Sequence, residues 1–505
     1  MTARFRPGIP ASSVAIAALF ALVALPRPAI PLIDGDVYWH IRAGLEILET
    51  GRVPTQDAWS IVGEGMRWLS QDWLSNVVMA LGWRAGELGP SILSITWALL
   101  VVLALAILWW AYRLRAEEGA GWLGRITWLA AGLVVAGPVV GVRVQVVDLM
   151  LAAAVVLFCW GYLANRSRGW LVPLPLIALA WANLHAGWPL MFLIGGAILV
   201  GEASDRILRR RPLASVLRWR DLMWLGGALA VSAAAIAINP NGLALYLYPL
   251  ETSAIGAHRD FVAEWRPPDP TSIVGRLFIG FVIGIVLPAL WVGRRTMRAA
   301  DALLIIGFTA MMALGARFLL LAPIVAVAAG LALDPALSRT ALGRAFSGPL
   351  ARLAAPRGRT QTTVNSVLIG LVLVAGVGIT WTRIGPDAQR NLVAQHMPVG
   401  AVDWIVANDP GTRPLNQYSW GGYLGLRRPE APVFIDGRSD IYGDAPIREY
   451  AEAVTLESDP AVLLERHAID YVLFPVAQPL ATWLDENGWQ RAYDDGFAGV
   501  WVRRE

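Results

Sequence analysis

A chain of 505 residues that is 56% hydrophobic and only 16% charged, with a mean hydropathy of +0.52, excludes an ordinary water-soluble enzyme. Many of its apolar runs reach the ~18–25 residues that cross a bilayer, which defines a polytopic membrane protein. The net charge of +4 is arginine over acid, because the chain has no lysine, and the arginines stand in short clusters between apolar runs. That arrangement argues against a nucleic-acid partner. The one cysteine, Cys159, lies in an apolar stretch; it excludes an intramolecular disulfide and reads as a small buried hydrophobe.

In chain order, Arg4 and Arg6 precede an apolar run at 12–32, with Pro26-Arg27-Pro28 where a small-residue cleavage site would stand. An uncleaved first span is expected. A polar loop rich in acids and tryptophan follows to residue 88. Further spans are expected at 89–112, 125–141, 146–164, 170–184, 188–204, 221–238, 274–293, 301–315, 317–334 and 364–382, about eleven in all. The arginine clusters (Arg113/Arg115, Arg166/Arg168, Arg206 to Arg220, Arg294 to Arg298, Arg339 to Arg359) then fall on one side with the N-terminus. The positive-inside rule makes that side cytoplasmic. The other side receives 33–88, the Arg143 turn, the 184–188 turn, 239–273, the Arg317 turn and everything after 383.

From 383 the apolar runs shorten to PVFID, YVLFP and GVWVR, separated by Pro, Gly and Asp, with helical stretches at 398–408 and 459–468. This reads as a small extracytoplasmic α/β domain, 383–505, behind a membrane domain, 1–382.

The segments with chemistry in them all fall on the outer side. Asp34-Gly35-Asp36 leaves the first span, and two carboxylates at that spacing can share a divalent cation or divide a base's work between them. Either also fits the N-cap of a helix over 37–50 that carries His40 one turn on. Asp57 sits in a turn. Asp72 opens DWLSNVVMALGWRAGELG, an amphipathic segment suited to the membrane interface, where the cap reading is equally natural. Arg143 lies in GVRVQ between two spans. Asn183 and His185 end a span and can serve its open carbonyls or a ligand. Asn239-Pro240-Asn241-Gly242 is a turn by its chemistry, followed by a loop with His258, Glu264 and Trp265. Arg317 opens a span, where it needs an anion, carbonyls or a snorkelling path. In the last domain Trp420-Gly421-Gly422-Tyr423 offers close-approach backbone between aromatics, and Asp436, Arg438 and Asp440 follow a strand, either as a binding loop or as a structural network.

No P-loop, Rossmann glycine pattern, HExxH or GxSxG is present, so no nucleotide cofactor is expected. Taken together and in order, DGDVYWHIRAGLEILETGRVPTQDAWS, WANLHAG, NPNG with EW, the outer Arg317, WGGYL and FIDGRSDIYGD resemble a bacterial branch of the GT-C type glycosyltransferases, which use polyprenyl-phosphate-linked sugars. The resemblance implies a GT-C-like helical membrane domain and hexosyl or pentosyl transfer at the outer face of the bacterial inner membrane. Asp34 and Asp36 are the implied catalytic pair, Asp34 as base and Asp36 orienting, with Mg or Mn as a candidate ion held by both. His40, Asp57, Asp72, Arg143, Asn183, His185, Glu264, Arg317, Trp420, Tyr423, Asp436 and Arg438 are the candidate substrate contacts. The implied partners are membrane lipid, the lipid-linked donor and a glycan, lipid or protein acceptor. SWGGYL lacks the acid of the oligosaccharyltransferase WWDYG motif, which speaks against transfer to asparagine. A flippase of lipid-linked substrates and a non-catalytic assembly protein are the rival classes. The flippase reading predicts midplane charges and repeated broken helices, which the sequence does not show.

Overall fold

The computed structural model describes residues 9–116, 122–340, 353 and 358–504. Arg4, Arg6 and most of the 338–362 linker lie outside them. Helices occupy the expected stretches: α1 (Ala11–Ala18, continued as a π-turn to Ala24), α4 (Gly89–Arg115), α5 (Trp122–Ala136), α6 (Val146–Asn165), α7 (Pro173–Leu184), α8 (Pro189–Ile207), α9 (Trp219–Ile236), α12 (Ile273–Phe281) running on into α13 (Leu287–Gly293), α14 (Ala299–Leu314), α15 (Ala322–Ser338) and α16 (Gly358–Ile384). The loops between them add α2 (Asp36–Thr50), α3 (Trp73–Trp83), α10 (Tyr248–Ala254) and α11 (Gly256–Phe261). Among the described residues six helical stretches are long and apolar enough to cross a membrane: Gly86–Arg115, Trp122–Val139, Val146–Asn165, Ile273–Gly293, Ala316–Leu337 and Gly358–Ile384. The first helix is shorter than its apolar run because Pro26 and Pro28 supply no backbone N–H to extend it.

The core of the membrane body is α6, packed against α4, α7 and α8, with the similarly well-buried α15 packed against α5. Of the most apolar 18 residues in α6, 78% are buried, against 11% in α16, which therefore stands at the periphery. α16 touches α1 where Gly376 meets the Ala21 carbonyl, a place with no room for a Cβ. Two ion pairs lie within the helical body: Arg298 binds Glu202, and Arg115 binds Asp301 at 2.5 Å. Cys159 is free and buried in α6, as expected.

The last 120 residues or so build a four-stranded sheet in the order β1 (Pro414–Asn416), β2 (Tyr471–Pro475), β4 (Ala498–Arg503), β3 (Trp489–Asp494). β1 runs parallel to β2, with Leu415 opposite Val472, and the other pairs are antiparallel. Helices Val399–Asn408 and Pro460–Arg466 match their sequence expectation. PVFID does not join the sheet. Val433 and Phe434 bond instead to the first outer loop: Val433 N–H to the Trp59 carbonyl at 2.8 Å, and the Ile61 N–H to the Val433 carbonyl at 2.8 Å. An apolar pentapeptide cannot reveal from its own sequence which backbone it pairs with. This pairing fixes the C-terminal fold on the 33–88 loop.

Candidate active site

The site is built where the DGD turn meets two glycine segments of the C-terminal fold. The Asp36 N–H donates to Asp34 Oδ1 at 3.1 Å, which starts α2 with Asp36 inside its first turn. α2 ends at Gly51, whose φ of +67° suits glycine. The Ser419 carbonyl occupies the place a Cβ on Gly35 would need, and the Gly35 carbonyl does the same to Gly422. Gly437 is pressed in this way against the Asp36 carboxyl, leaving no room for a Cβ. The expected close-approach role of Trp420-Gly421-Gly422-Tyr423 is thus seen, with the DGD turn as what is approached. Gly437→Ala is expected to push the Asp36 carboxyl aside and cut turnover about 10²-fold with the fold intact, checked by turnover beside a thermal melt.

Three carboxylates and one guanidinium converge at the turn. Arg143, from the loop before α6, places Nε 2.5 Å from Asp34 and Nη1 2.9 Å from Glu264, from the loop before α12. Its backbone is anchored by the buried Trp97, which donates to the Arg143 carbonyl at 2.7 Å. Asp36 is half-buried next to this bridge. Burial first, then the charges of Asp34 and Glu264, push its carboxyl up to about 7, while His40 and Arg143 pull the other way. Tyr418 lies near enough that Asp36 helps burial hold its hydroxyl well above the usual phenol range.

Beneath Asp36, His40 Nδ1 lies 2.7 Å from Asn76 and 3.2 Å from Asp72. Asp72 stands at the N-cap position of α3 without capping it; its carboxylate also accepts from Asn76. Burial works against both charges, yet the pairing keeps the His40 imidazole above its usual range and Asp72 below its own. Further in, His185 Nδ1 is 2.8 Å from Asp148 Oδ2, and Trp181 Nε1 donates to Asp148 at 2.7 Å. Sequence reasoning misses Asp148, although a carboxylate in the apolar run VQVVDLML is the available signal. Asn183 is consumed structurally, accepting from Trp73 Nε1 at 2.9 Å and donating to the Leu179 and Ile238 carbonyls.

On the outer rim Arg317 stacks over Trp265 at 4.2 Å, with His258 against the same ring system at 4.8 Å. Tyr248 accepts from Gln71 at 3.0 Å and donates to Asp440 at 3.1 Å, tying the 239–273 loop to both neighbours. Burial, then Asp72, raises the Asp440 carboxyl to about 6.

Other candidates lie away from this opening. Arg438 is completely buried, with Nη1 2.7 Å from Asp57, Nη2 2.8 Å from Asp436, and Trp59 and Trp68 on its guanidinium at 4.6 and 4.7 Å. Asp57, Asp436 and Arg438 satisfy one another and hold the loop to the C-terminal fold. Trp420 packs on Phe497 and donates to the His396 carbonyl, and Tyr423 packs edge-on against Tyr38 at 4.9 Å. Both aromatics support the turn from behind.

Mg or Mn between Asp34 and Asp36 does not fit these residues. Both Asp34 oxygens are engaged, by the Asp36 N–H and by Arg143, and Gly437 closes over one oxygen of Asp36. Among the described residues no group of three or more His, Cys, Asp or Glu is placed to hold a metal ion.

The fold has counterparts of known structure. An oligosaccharyltransferase of Archaeoglobus fulgidus, solved with a tethered acceptor peptide containing the NVT sequon, superposes with a TM-score of 0.57 at 14% identity, covering 98% of this chain and 74% of that one. ArnT of Cupriavidus metallidurans, solved with undecaprenyl phosphate, matches at a TM-score of 0.49 and 15% identity over 97% of both chains. The likeness expected from the motifs is therefore seen in the fold: the chain has the architecture of the GT-C membrane glycosyltransferases. No family model and no curated sequence matches the chain.

Proposed function

We propose that this protein is a multi-pass enzyme that transfers a sugar from a polyprenyl-phosphate donor to an acceptor hydroxyl. We place the reaction at the extracytoplasmic face of a bacterial inner membrane, with the N-terminus cytoplasmic, about eleven crossings in 1–382, and 383–505 outside. One observation carries the reading: a half-buried carboxyl with no ion-pair partner among the described residues, Asp36, stands next to an arginine already bridging two other carboxylates, in a chain with a GT-C-like fold.

The geometry favours exchanging the two roles expected from sequence. Asp34 has both oxygens engaged, by the Asp36 N–H and by Arg143, whereas Asp36, near 7, has the pKa a general base needs at neutral pH. In the proposed step the acceptor oxygen bonds to the anomeric carbon as its proton passes to Asp36. The bond from that carbon to the phosphate oxygen breaks, and the polyprenyl phosphate leaves with the electron pair. Arg143 and the rim cation Arg317 are the positive charges available to the leaving phosphate. His40, held by Asp72 and Asn76, steadies α2 under Asp36. Trp265 and Tyr418 border the opening.

A base must be unprotonated to act, so kcat/KM is expected to rise with pH through about 7 and level off above it. The experiment supplies a panel of labelled polyprenyl-phosphate sugars to the purified protein in lipid, with envelope extract as acceptor source. Released polyprenyl phosphate is then followed across pH. Release with an acid limb near 7 supports the reading; no release from any donor contradicts it.

A further inference from the structure

We infer that Arg143 is a built-in cation: its guanidinium takes the place between Asp34 and Glu264 that a divalent metal would otherwise fill, and the site works without one. The inference rests on the transferase reading for its purpose and on geometry alone for its substance.

Small divalent ions of the Mg type ask for oxygen ligands at ~2.0–2.1 Å in near-octahedral order, usually one or two carboxylates plus substrate phosphate. Paired carboxylates at a loop exit are where such an ion is looked for. Here the oxygens of Asp34 and one oxygen of Glu264 are engaged. Asp34 gives Oδ1 to the Asp36 N–H at 3.1 Å and Oδ2 to Arg143 Nε at 2.5 Å. Glu264 gives Oε2 to Arg143 Nη1 at 2.9 Å. The nearest histidine along the chain, His40, has Nδ1 turned to Asn76 and Asp72.

A guanidinium can do the electrostatic part of a metal's work. It is permanently charged, and its planar fork presents five N–H donors. Two of them hold Asp34 and Glu264, so three remain. The side chain is 35% exposed, and neither bridge uses these three N–H groups. They suit the oxygens of a phosphate, which arginine binds in a forked geometry. The Trp97 hydrogen bond to the Arg143 carbonyl and the two carboxylates fix its position beforehand, so little reorganisation is needed when charge develops on the leaving group. The bridge also joins three separate loops, so one residue both assembles the site and charges it.

The test is a Mn²⁺ titration read by electron paramagnetic resonance, with no donor present. It uses the full-length protein in lipid nanodiscs: wild type, Asp34→Asn, and Arg143→Gln with and without Asp34→Asn. The expected result is no saturable Mn²⁺ site in wild type, and a thermal melt that EDTA does not move. Arg143→Gln, which frees two carboxylates, is expected to gain one saturable site that the added Asp34→Asn removes. One Mn²⁺ per wild-type chain, lost in Asp34→Asn, would overturn the inference. So would an Arg143→Gln protein that folds but gains no site, since Arg143 would then not be what keeps the ion out. If that variant fails to fold, the wild-type and Asp34→Asn titrations decide the matter. Because no sugar donor enters the assay, a protein inactive on every donor leaves this result standing, and the two claims fail separately.

Discussion

Asp36→Asn is expected to lower sugar transfer by about 10²–10⁴-fold, the range that loss of a positioned general base produces. The asparagine keeps the size of the side chain, so its contact with Gly437 and the start of α2 survive. It removes the group whose raised pKa suits proton abstraction near pH 7, so the residual activity should also lose its acid limb. Asp34→Asn should behave differently. It takes one of the two carboxylates from Arg143, loosening the bridge while the base remains, so its remaining activity should still rise with pH. Initial rates of both variants from about pH 5.5 to 8.5, a window that brackets the Asp36 titration, separate the base from the residue that positions the arginine. Circular dichroism confirms folding alongside. Equal losses with flat profiles in both would show that the two carboxylates act as one unit, with no division of roles between them.

Arg438→Ala carries the largest expected effect on stability. The side chain is fully buried, and its removal strands Asp57 and Asp436, both almost without exposure, in the same pocket. Breaking a buried pair by deleting one partner costs about 3–5 kcal/mol. The loss falls on the junction between the 33–88 loop and the C-terminal fold, where Trp59 and Trp68, edge-on to each other at 4.8 Å, both pack on the guanidinium. The expected result is a lower melting temperature and rapid proteolysis within 398–504 while the membrane helices stay protected. Arg438→Lys should rescue little, because a point charge has neither the flat face for two indoles nor the fork for two carboxylates. A variant as protease-resistant as wild type would show that the clamp does not hold the junction.

Sequence reading goes furthest where one segment contains its own signal. Long apolar runs give the helices, and Asn239-Pro240-Asn241-Gly242 gives its turn, with Asn239 accepting from the Asn241 N–H at 2.7 Å. The ordered placement of polar motifs between spans points to the GT-C architecture, which the fold shares. What stays hidden is partnership at a distance. Arg143 and Glu264 stand 121 residues apart, and Arg438 and Asp57 are 381 apart. Nothing local says that the first pair shapes an opening and the second a sealed clamp; both are arginines beside acids. Asp72 illustrates the same limit, since an acid before a helix reads as a cap until His40 comes within 3.2 Å. Asp36 is the converse case: its spacing from Asp34 is visible, but its freedom from any ion pair depends on Arg143 having chosen Asp34.

Whether Asp36 drives sugar transfer is measured most directly by a single-turnover assay with a radiolabelled polyprenyl-phosphate sugar. It compares wild type, Asp36→Asn and Arg317→Gln reconstituted in lipid. Label is expected to pass from lipid to acceptor in wild type, about 10²–10⁴-fold more slowly in Asp36→Asn, and in a slower burst in Arg317→Gln. Wild-type and Asp36→Asn proteins transferring label at the same rate would contradict the assignment of Asp36 as the base.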